Sequence, residues 1–336
     1  MPLIALAQGL RARDHEIVLC CDPPARRYAD ALGMHALVDP DAWQAADRRG
    51  HAAQVGGLGA YFDAVNRALV PLVSRAIKDV RPDLVLASLL TAPLARLLAP
   101  EVRWCAVNST YCLRADDGDP VGAYFGPILA SLPFVLHATD AVFDGAADLP
   151  SGHHYTGPLL WEPALPVPPY LEQAGDPWAL VTGSSEAQGD APLVEAALNA
   201  LAHRALRVLA TTNAAISDVP PNARVEATAS HHAILARSRL LVSHGGHGSV
   251  MKALWHGVPM VLVPWSRDQP GVAARAERLG VARVVPPSQL TTLGREIDAV
   301  LSDPRYAEAA ARHGRRMREM DAVDIACGLV ERELRG

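Results

Sequence analysis

The sequence predicts an α/β protein of two halves, each built on a parallel sheet. Three observations carry this expectation. Short apolar runs of strand length alternate with helix-compatible stretches along most of the chain, the pattern of βαβ units. Residues 157–177 are dense in proline (Pro158, Pro163, Pro166, Pro168, Pro169) and interrupt that alternation near the middle of the chain, which reads as a stiff linker. Residues 239–280 then place an apolar run, a glycine-dense turn, a helix and a second apolar run in succession, a complete βαβ unit. The expected domains are residues 1–160 and 178–336, joined by a linker over 161–177. A ligand cleft is expected between the two.

Taken in order, residues 2–13 put Leu3, Leu6, Ala7 and Leu10 on one face behind Pro2, a residue suited to a first helical position. Residues 16–20 follow as a strand, and 26–32 as a short helix stopped by Gly33. Helical periodicity over 41–80 is broken around Gly56, Gly57 and Gly59. After Arg81-Pro82-Asp83 an apolar strand occupies 84–87, then a helix runs to about 98, and 104–107 is a further strand. Residues 108–133, mixed in Gly, Pro and aromatic side chains, read as an irregular, ligand-shaping loop. In the second half, strands are expected at 178–182, 207–210, 240–242 and 260–263. A helix from 249 is stopped by Gly257-Val258-Pro259, and two closing helices, about 290–302 and 305–334, are parted by Asp303-Pro304.

Composition narrows the function. At 336 residues, half apolar and a fifth charged, the chain suits two globular domains. A net charge of −5 without a Lys/Arg run leaves no basic footprint for nucleic acid. Cys20, Cys21, Cys105, Cys112 and Cys327 are odd in number and lack CxxC spacing, so reduced thiols in a cytoplasmic protein are expected. The most apolar run, 84–99, is short and contains Pro93 and Arg96, too interrupted to span a bilayer. The first residues lack the order of a signal peptide, and no internal repeat is present.

The turn inside 239–280 carries the chemistry. Gly245, Gly246 and Gly248 allow a tight bend and leave no Cβ in the way of a ligand. The N–H groups of the turn and of the first helical residues lack helical partners, and the helix dipole adds partial positive charge. Such a turn holds a phosphate or diphosphate, unless the glycines serve only to make the bend. Asp268 and Gln269, on the loop after the next strand, pair a carboxylate with an amide, able to accept from and donate to sugar hydroxyls. A solvated loop pair is the plainer reading. Thr182-Gly183-Ser184-Ser185 follows the first strand of the second half at a similar position. Other constellations fail. His15-Glu16 lacks the second histidine of a zincin helix. His153-His154 and His231-His232 lack partners at metal spacing and read as surface histidines. Neither G-x-S-x-G nor a Walker lysine is present. No metal and no cofactor are expected.

HGGHGS at 244–249, ALWHGVP at 253–259, PWSRDQ at 264–269 and the Leu279-Gly280 helix end resemble the donor-sugar signature of UDP-glycosyltransferase-like enzymes. The likeness is nearest to bacterial members that act on macrolides, sterols and other natural products, and it covers nearly the whole chain. It implies the GT-B fold, two Rossmann-like domains facing a cleft, with the last helix crossing back to the first domain. It also implies glycosyl transfer, in which an acceptor hydroxyl attacks the anomeric carbon while the nucleotide diphosphate leaves. On this resemblance His244, with Gly245, Gly246, Gly248 and Ser249, meets the donor diphosphate. Ser184 lies against the diphosphate or the acceptor, and Asp268 and Gln269 hold the donor sugar. His231 falls near the nucleobase, and Thr228 takes the place of a base-stacking tryptophan of plant members. Lys252 stands where many members have a ribose-binding glutamate, which leaves dTDP open beside UDP as the donor nucleotide. The implied partners are a UDP- or dTDP-sugar and a small, hydroxylated, apolar acceptor.

Relatives begin with a strand and a Gly-His loop whose histidine is the general base. The resemblance places both before residue 1 here, and Ser88 stands where an aspartate orients that histidine. No catalytic base is therefore assigned. Two other readings share these features: a non-catalytic nucleotide-sugar-binding helper, and a sugar-nucleotide epimerase of the same fold, which Asp268-Gln269 disfavours.

Overall fold

A computed structural model describes residues 2–98, 102–115, 119–145, 148–175, 177–184 and 189–336. Contacts divide the chain into two units. Unit 1 comprises Met1–Ala141, Ala146–Trp161 and Asp321–Gly336, and unit 2 comprises Val142–Gly145 and Glu162–Met320.

Unit 1 contains six short parallel strands: β1 (Val18–Cys20), β2 (His35–Leu37), β3 (Leu84–Ser88), β4 (Arg103–Asn108), β5 (Val135–His137) and β6 (His153–Tyr155). They form two ladders rather than one sheet. β1 pairs with β2, and the remaining four run in the order β3-β4-β5-β6. The core lies where helices Pro2–Arg11 and Ala322–Arg335 cover β4 and β5, with Leu6, Leu10, Val107, Leu136 and Ala326 buried together. The two helices approach closely at Gly9, where a Cβ would lie 2.4 Å from Val323 Cγ1 and 2.8 Å from Cys327 Sγ. Arg13 adds ion pairs to Asp324 and Glu331.

Two expectations for helices need correction. Residues 108–133 are not an irregular loop throughout, because Pro120–Ala130 is a helix. Asp119 Oδ1 accepts from Gly122 N at 2.7 Å, Pro120 opens the first turn, and Val121, Phe125, Ile128 and Leu129 are buried. Gly122, Gly126 and Pro127 argue against a helix by propensity, yet apolar burial outweighs them. Gly126 is required by packing, since a Cβ there would sit 2.9 Å from Ala115 N. The expected single helix over 305–334 is two helices, Pro304–Glu319 and Ala322–Arg335. Asp321 breaks it by capping the second helix at Asp324 N, 2.9 Å away.

Unit 2 carries β7 (Trp178–Thr182), β8 (Arg207–Thr211), β9 (Ala223–Glu226), β10 (Ser238–Ser243), β11 (Met260–Leu262) and β12 (Ala282–Val284). All are parallel, in the order β12-β11-β10-β7-β8-β9. The chain winds outward from β7 through β9, then returns to β10 on the other side and winds out again. The carboxyl ends of β7 and β10 therefore form the topological switch point, where open parallel sheets bind ligands. Leu180, Val181, Leu240, Leu241 and Val242 on these central strands are fully buried.

His153 is not the surface histidine expected from its sequence neighbours. It is buried and ends a chain of hydrogen bonds. His153 Nε2 donates to Leu129 O at 3.1 Å, so its Nδ1 accepts from His137 Nε2 at 3.1 Å, and His137 Nδ1 accepts from Asn108 Nδ2 at 2.9 Å. The terminal carbonyl fixes both tautomers, and burial keeps both rings neutral although the carbonyl itself favours a charged His153. Burial, with His153 and His154 adding repulsion, pushes the His137 pKa from 6.5 down to about 3.

Two outcomes follow. Gly9→Ala should destabilise unit 1 by roughly 1–3 kcal/mol, through overlap that outweighs the helix-propensity gain. Adding Val323→Ala should recover part of that loss in urea titrations, and an unchanged midpoint for Gly9→Ala would contradict the close approach. For His137, the unfolded chain takes up a proton below pH 6.5 while the folded chain does so only near pH 3. Its contribution to stability is complete above pH 6.5 and is lost as pH falls toward 3, about 1.4 kcal/mol by one pH unit below the unfolded pKa. NMR should show the His137 ring neutral at pH 5, and an ordinary titration near pH 6.5 would contradict the buried chain.

Candidate functional site

The turn after β10 is built from its own side chains and glycines. Ser243 Oγ accepts from Gly245 N at 3.2 Å, and Gly245 takes φ +83°, a left-handed conformation that favours glycine. Gly246 is extended and caps helix His247–His256, its carbonyl accepting from Ser249 N at 3.0 Å and Val250 N at 3.1 Å. Among the described residues, the N–H groups of Gly246, His247 and Gly248 have no acceptor. Three donors thus converge at the positive end of a ten-residue helix. Gly248 is exposed, and a Cβ on it would meet nothing within 4 Å. Gly257, at φ +73°, closes the helix as its sequence position predicts.

His244 packs on this turn. Its Nδ1 donates to Thr182 O at 3.5 Å, which joins the ends of β10 and β7, and a Cβ on Gly246 would lie 2.5 Å from its Nε2. Burial lowers the His244 pKa, with the Thr182 carbonyl, Asp190 and Asp268 opposing the shift. At neutral pH it is an uncharged imidazole with Nε2 as the acceptor.

At the end of β7, Ser184 offers its backbone N–H to Asp190 Oδ2 at 2.6 Å. That carboxylate, which sequence reasoning missed, already occupies a donor at the switch point. Ser185 lies outside the described residues. His231 opens helix His231–Leu235 and donates through Nε2 to Thr211 Oγ1 at 3.0 Å. Thr211 Oγ1 donates to Thr182 Oγ1 at 3.0 Å, and Thr182 Oγ1 to Gly183 O at 3.1 Å. Burial, followed by the charge of Lys252, holds the His231 pKa at about 4. Neither His231 nor His232 is a surface histidine: both are part-buried, and His232 Nδ1 lies 2.9 Å from His256 Nε2. Thr228 is exposed on the loop before this helix.

Lys252 is not a lone charge. Glu162 Oε2 accepts from its Nζ at 2.8 Å, while Glu162 Oε1 accepts from Ser230 Oγ and from His232 N at 3.1 Å. No periodicity or motif in the proline-rich stretch marks Glu162. Its partner is ninety residues away.

The loop after β11 reaches the same place. Gly245 lies against helix Gln269–Arg278, where a Cβ would stand in ordinary contact with Gln269 O at 3.5 Å. Gln269 is buried, and its Oε1 accepts from Trp265 N at 2.7 Å and Ser266 N at 2.9 Å, so the amide shapes its own loop. Arg267 adopts φ +59° between them, a left-handed conformation uncommon outside glycine. Asp268 precedes the helix without capping it by its side chain. Ser184, His244, Gly245–Ser249, Asp268 and Gln269 all therefore lie on the loops at the carboxyl edge of this sheet. Ser88 is in unit 1, where its Oγ and Thr91 Oγ1 are 2.9 Å apart.

Converging N–H donors, a neutral histidine and a nearby carboxylate suit a diphosphate with a polar group beyond it. The chain also resembles known proteins over much of its length. The family described as erythromycin biosynthesis protein CIII-like, C-terminal domain, matches residues 196–324. A 4'-demethylrebeccamycin synthase of Lentzea aerocolonigenes is 35% identical over 196 residues, 54% of this chain and 46% of that protein. The chain thus aligns with under half of that relative's length. An O-mycaminosyltylonolide 6-deoxyallosyltransferase of Streptomyces fradiae is 26% identical across 98% of this chain and 93% of its own length. The structure of the spinosyn rhamnosyltransferase SpnG complexed with thymidine diphosphate superposes with a TM-score of 0.75 at 19% identity, covering 100% of this chain and 96% of the other. By these matches and by its sheet order, the chain carries the GT-B fold and is similar in sequence to UDP-glycosyltransferase-like enzymes of natural products.

Proposed function

We propose that this chain transfers a hexose from a UDP- or dTDP-sugar to a hydroxyl of a small, largely apolar acceptor. The observation that carries this reading is the set of N–H groups of Gly246, His247 and Gly248 at the switch point, without acceptors among the described residues. In it, the diphosphate sits on those N–H groups, which stabilise the negative charge that builds on the leaving group. His244 Nε2 and the Ser249 hydroxyl complete the phosphate contacts. Asp268 accepts from the sugar hydroxyls, while Gln269 holds the loop that presents it. Glu162 and Lys252 form a neutral pair beside His231, on the nucleoside side. Thymidine diphosphate in SpnG supports a deoxyribose nucleotide as one of the two donors.

One observation favours the helper reading as a second possibility. Ser88 brings a hydroxyl bonded to Thr91, and no carboxylate, to the position that the resemblance gives to the aspartate orienting a base.

Gly248→Ala tests the proposal with little risk to the fold, since the new Cβ meets no atom of the described residues within 4 Å. Stability should stay equal or rise by up to about 1 kcal/mol, because alanine suits a helix better than glycine. Affinity for UDP or dTDP in calorimetric titration should fall about tenfold or more, as the methyl group enters the phosphate space. Sugar transfer, followed as nucleotide release with a panel of hydroxylated acceptors, should fall with it. Undiminished nucleotide binding by Gly248→Ala would overturn the site. Binding without transfer to any acceptor would favour the helper.

A further inference from the structure

Residues Val142–Gly145 differ from the chain around them. Their flanks cluster with unit 1, whereas this stretch clusters with unit 2. Its grip is on helix Gln269–Arg278. Arg275 Nε donates to Asp144 Oδ1 at 3.0 Å and to Asp144 O at 3.2 Å. Arg278 Nη2 donates to Phe143 O at 2.7 Å and to Val142 O at 3.2 Å. The Asp144 side chain is wholly buried in this pair. Gly145, at φ +70°, lets the chain turn over the Arg278 guanidinium, which a Cβ would meet at 2.5 Å.

The other side of the stretch touches the diphosphate helix. The Phe143 ring is fully buried and meets His247 edge-on, with centroids 6.0 Å apart. His247 is the first residue of helix His247–His256, and its backbone N–H is one of the three donors. Its imidazole is buried and Nε2 has no hydrogen-bond partner among the described residues, so packing holds that edge of the ring. Val142–Gly145 therefore bears on both helices whose first residues build the donor site. One is held through Phe143 and the other through two arginines.

We propose that Phe143 and Asp144 are positioning residues for nucleotide binding, this short strap setting the diphosphate turn against helix Gln269–Arg278. The proposal rests on the donor reading above. Removing the Phe143 ring leaves His247 without its packing partner and lets the helix end shift. Removing the Asp144 charge leaves Arg275 without its buried counter-ion and loosens the strap. Coupling is reciprocal, so a strap that tightens nucleotide binding must itself be stabilised by bound nucleotide to the same degree.

The test uses the whole chain, with UDP and dTDP as probes. In calorimetric titrations, Phe143→Ala and Asp144→Asn should weaken binding about tenfold, while Phe143→Leu should stay within about twofold because it keeps most of the buried volume. In the unmutated chain, amide exchange at 142–145 should slow by a similar factor when nucleotide is saturating. If Phe143→Ala does not fold, Asp144→Asn and the exchange measurement decide. Unchanged affinity in Asp144→Asn, or strap exchange indifferent to nucleotide, overturns the positioning role and leaves the donor site standing. Failure of the unmutated chain to bind either nucleotide overturns both.

Discussion

The pairing of β7 with β10, from Ser238 opposite Trp178 to Ser243 opposite Thr182, is the constraint on which the site depends. These strands are neighbours in space but distant in sequence, and both point their carboxyl ends at the same edge. Leu180, Val181, Leu241 and Val242 are fully buried on both faces of these strands, as in a parallel sheet covered on both sides. Thr182 and Ser243 then finish side by side, and His244 reaches across to the Thr182 carbonyl.

On that edge the protein leaves backbone donors unpaired and keeps its histidines uncharged. Gly245 turns the chain through a conformation closed to most residues, and Gly246 lets the His244 ring lie against the turn. His244, His231 and His247 are all held below the ordinary imidazole pKa by burial. The positive potential available to an anion therefore comes from fixed dipoles, which need no proton and do not reorganise on binding. Lys252, the cation nearest in sequence, is neutralised by Glu162. Binding built this way should vary little with pH across the neutral range.

Residues 239–280 were the most legible part of the sequence. An apolar run, a glycine turn and a Gly257 stop each have one local explanation, and the structure uses all three. β5, β6 and β12 span three residues each, too few for periodicity to mark them. The helix Pro120–Ala130 was hidden by Gly126 and Pro127, whose place is set by packing on Arg114 and by the buried face of the helix. Asp190 and Glu162 act through partners that folding brings near, and the left-handed backbone of Arg267 has no signal in its residue type. The His153 chain depends on Asn108 and Leu129, both more than twenty residues from it, so its burial could not be read from its neighbours.

The central claim is that a diphosphate docks on the N–H groups of Gly246, His247 and Gly248. Its most direct measurement is the shift of backbone amide resonances in ¹⁵N-labelled protein during titration with dTDP or UDP. The largest saturable changes should fall on these three amides, with smaller ones at Gly245 and Ser249. Saturable binding that leaves all three unmoved while shifting amides elsewhere would contradict it.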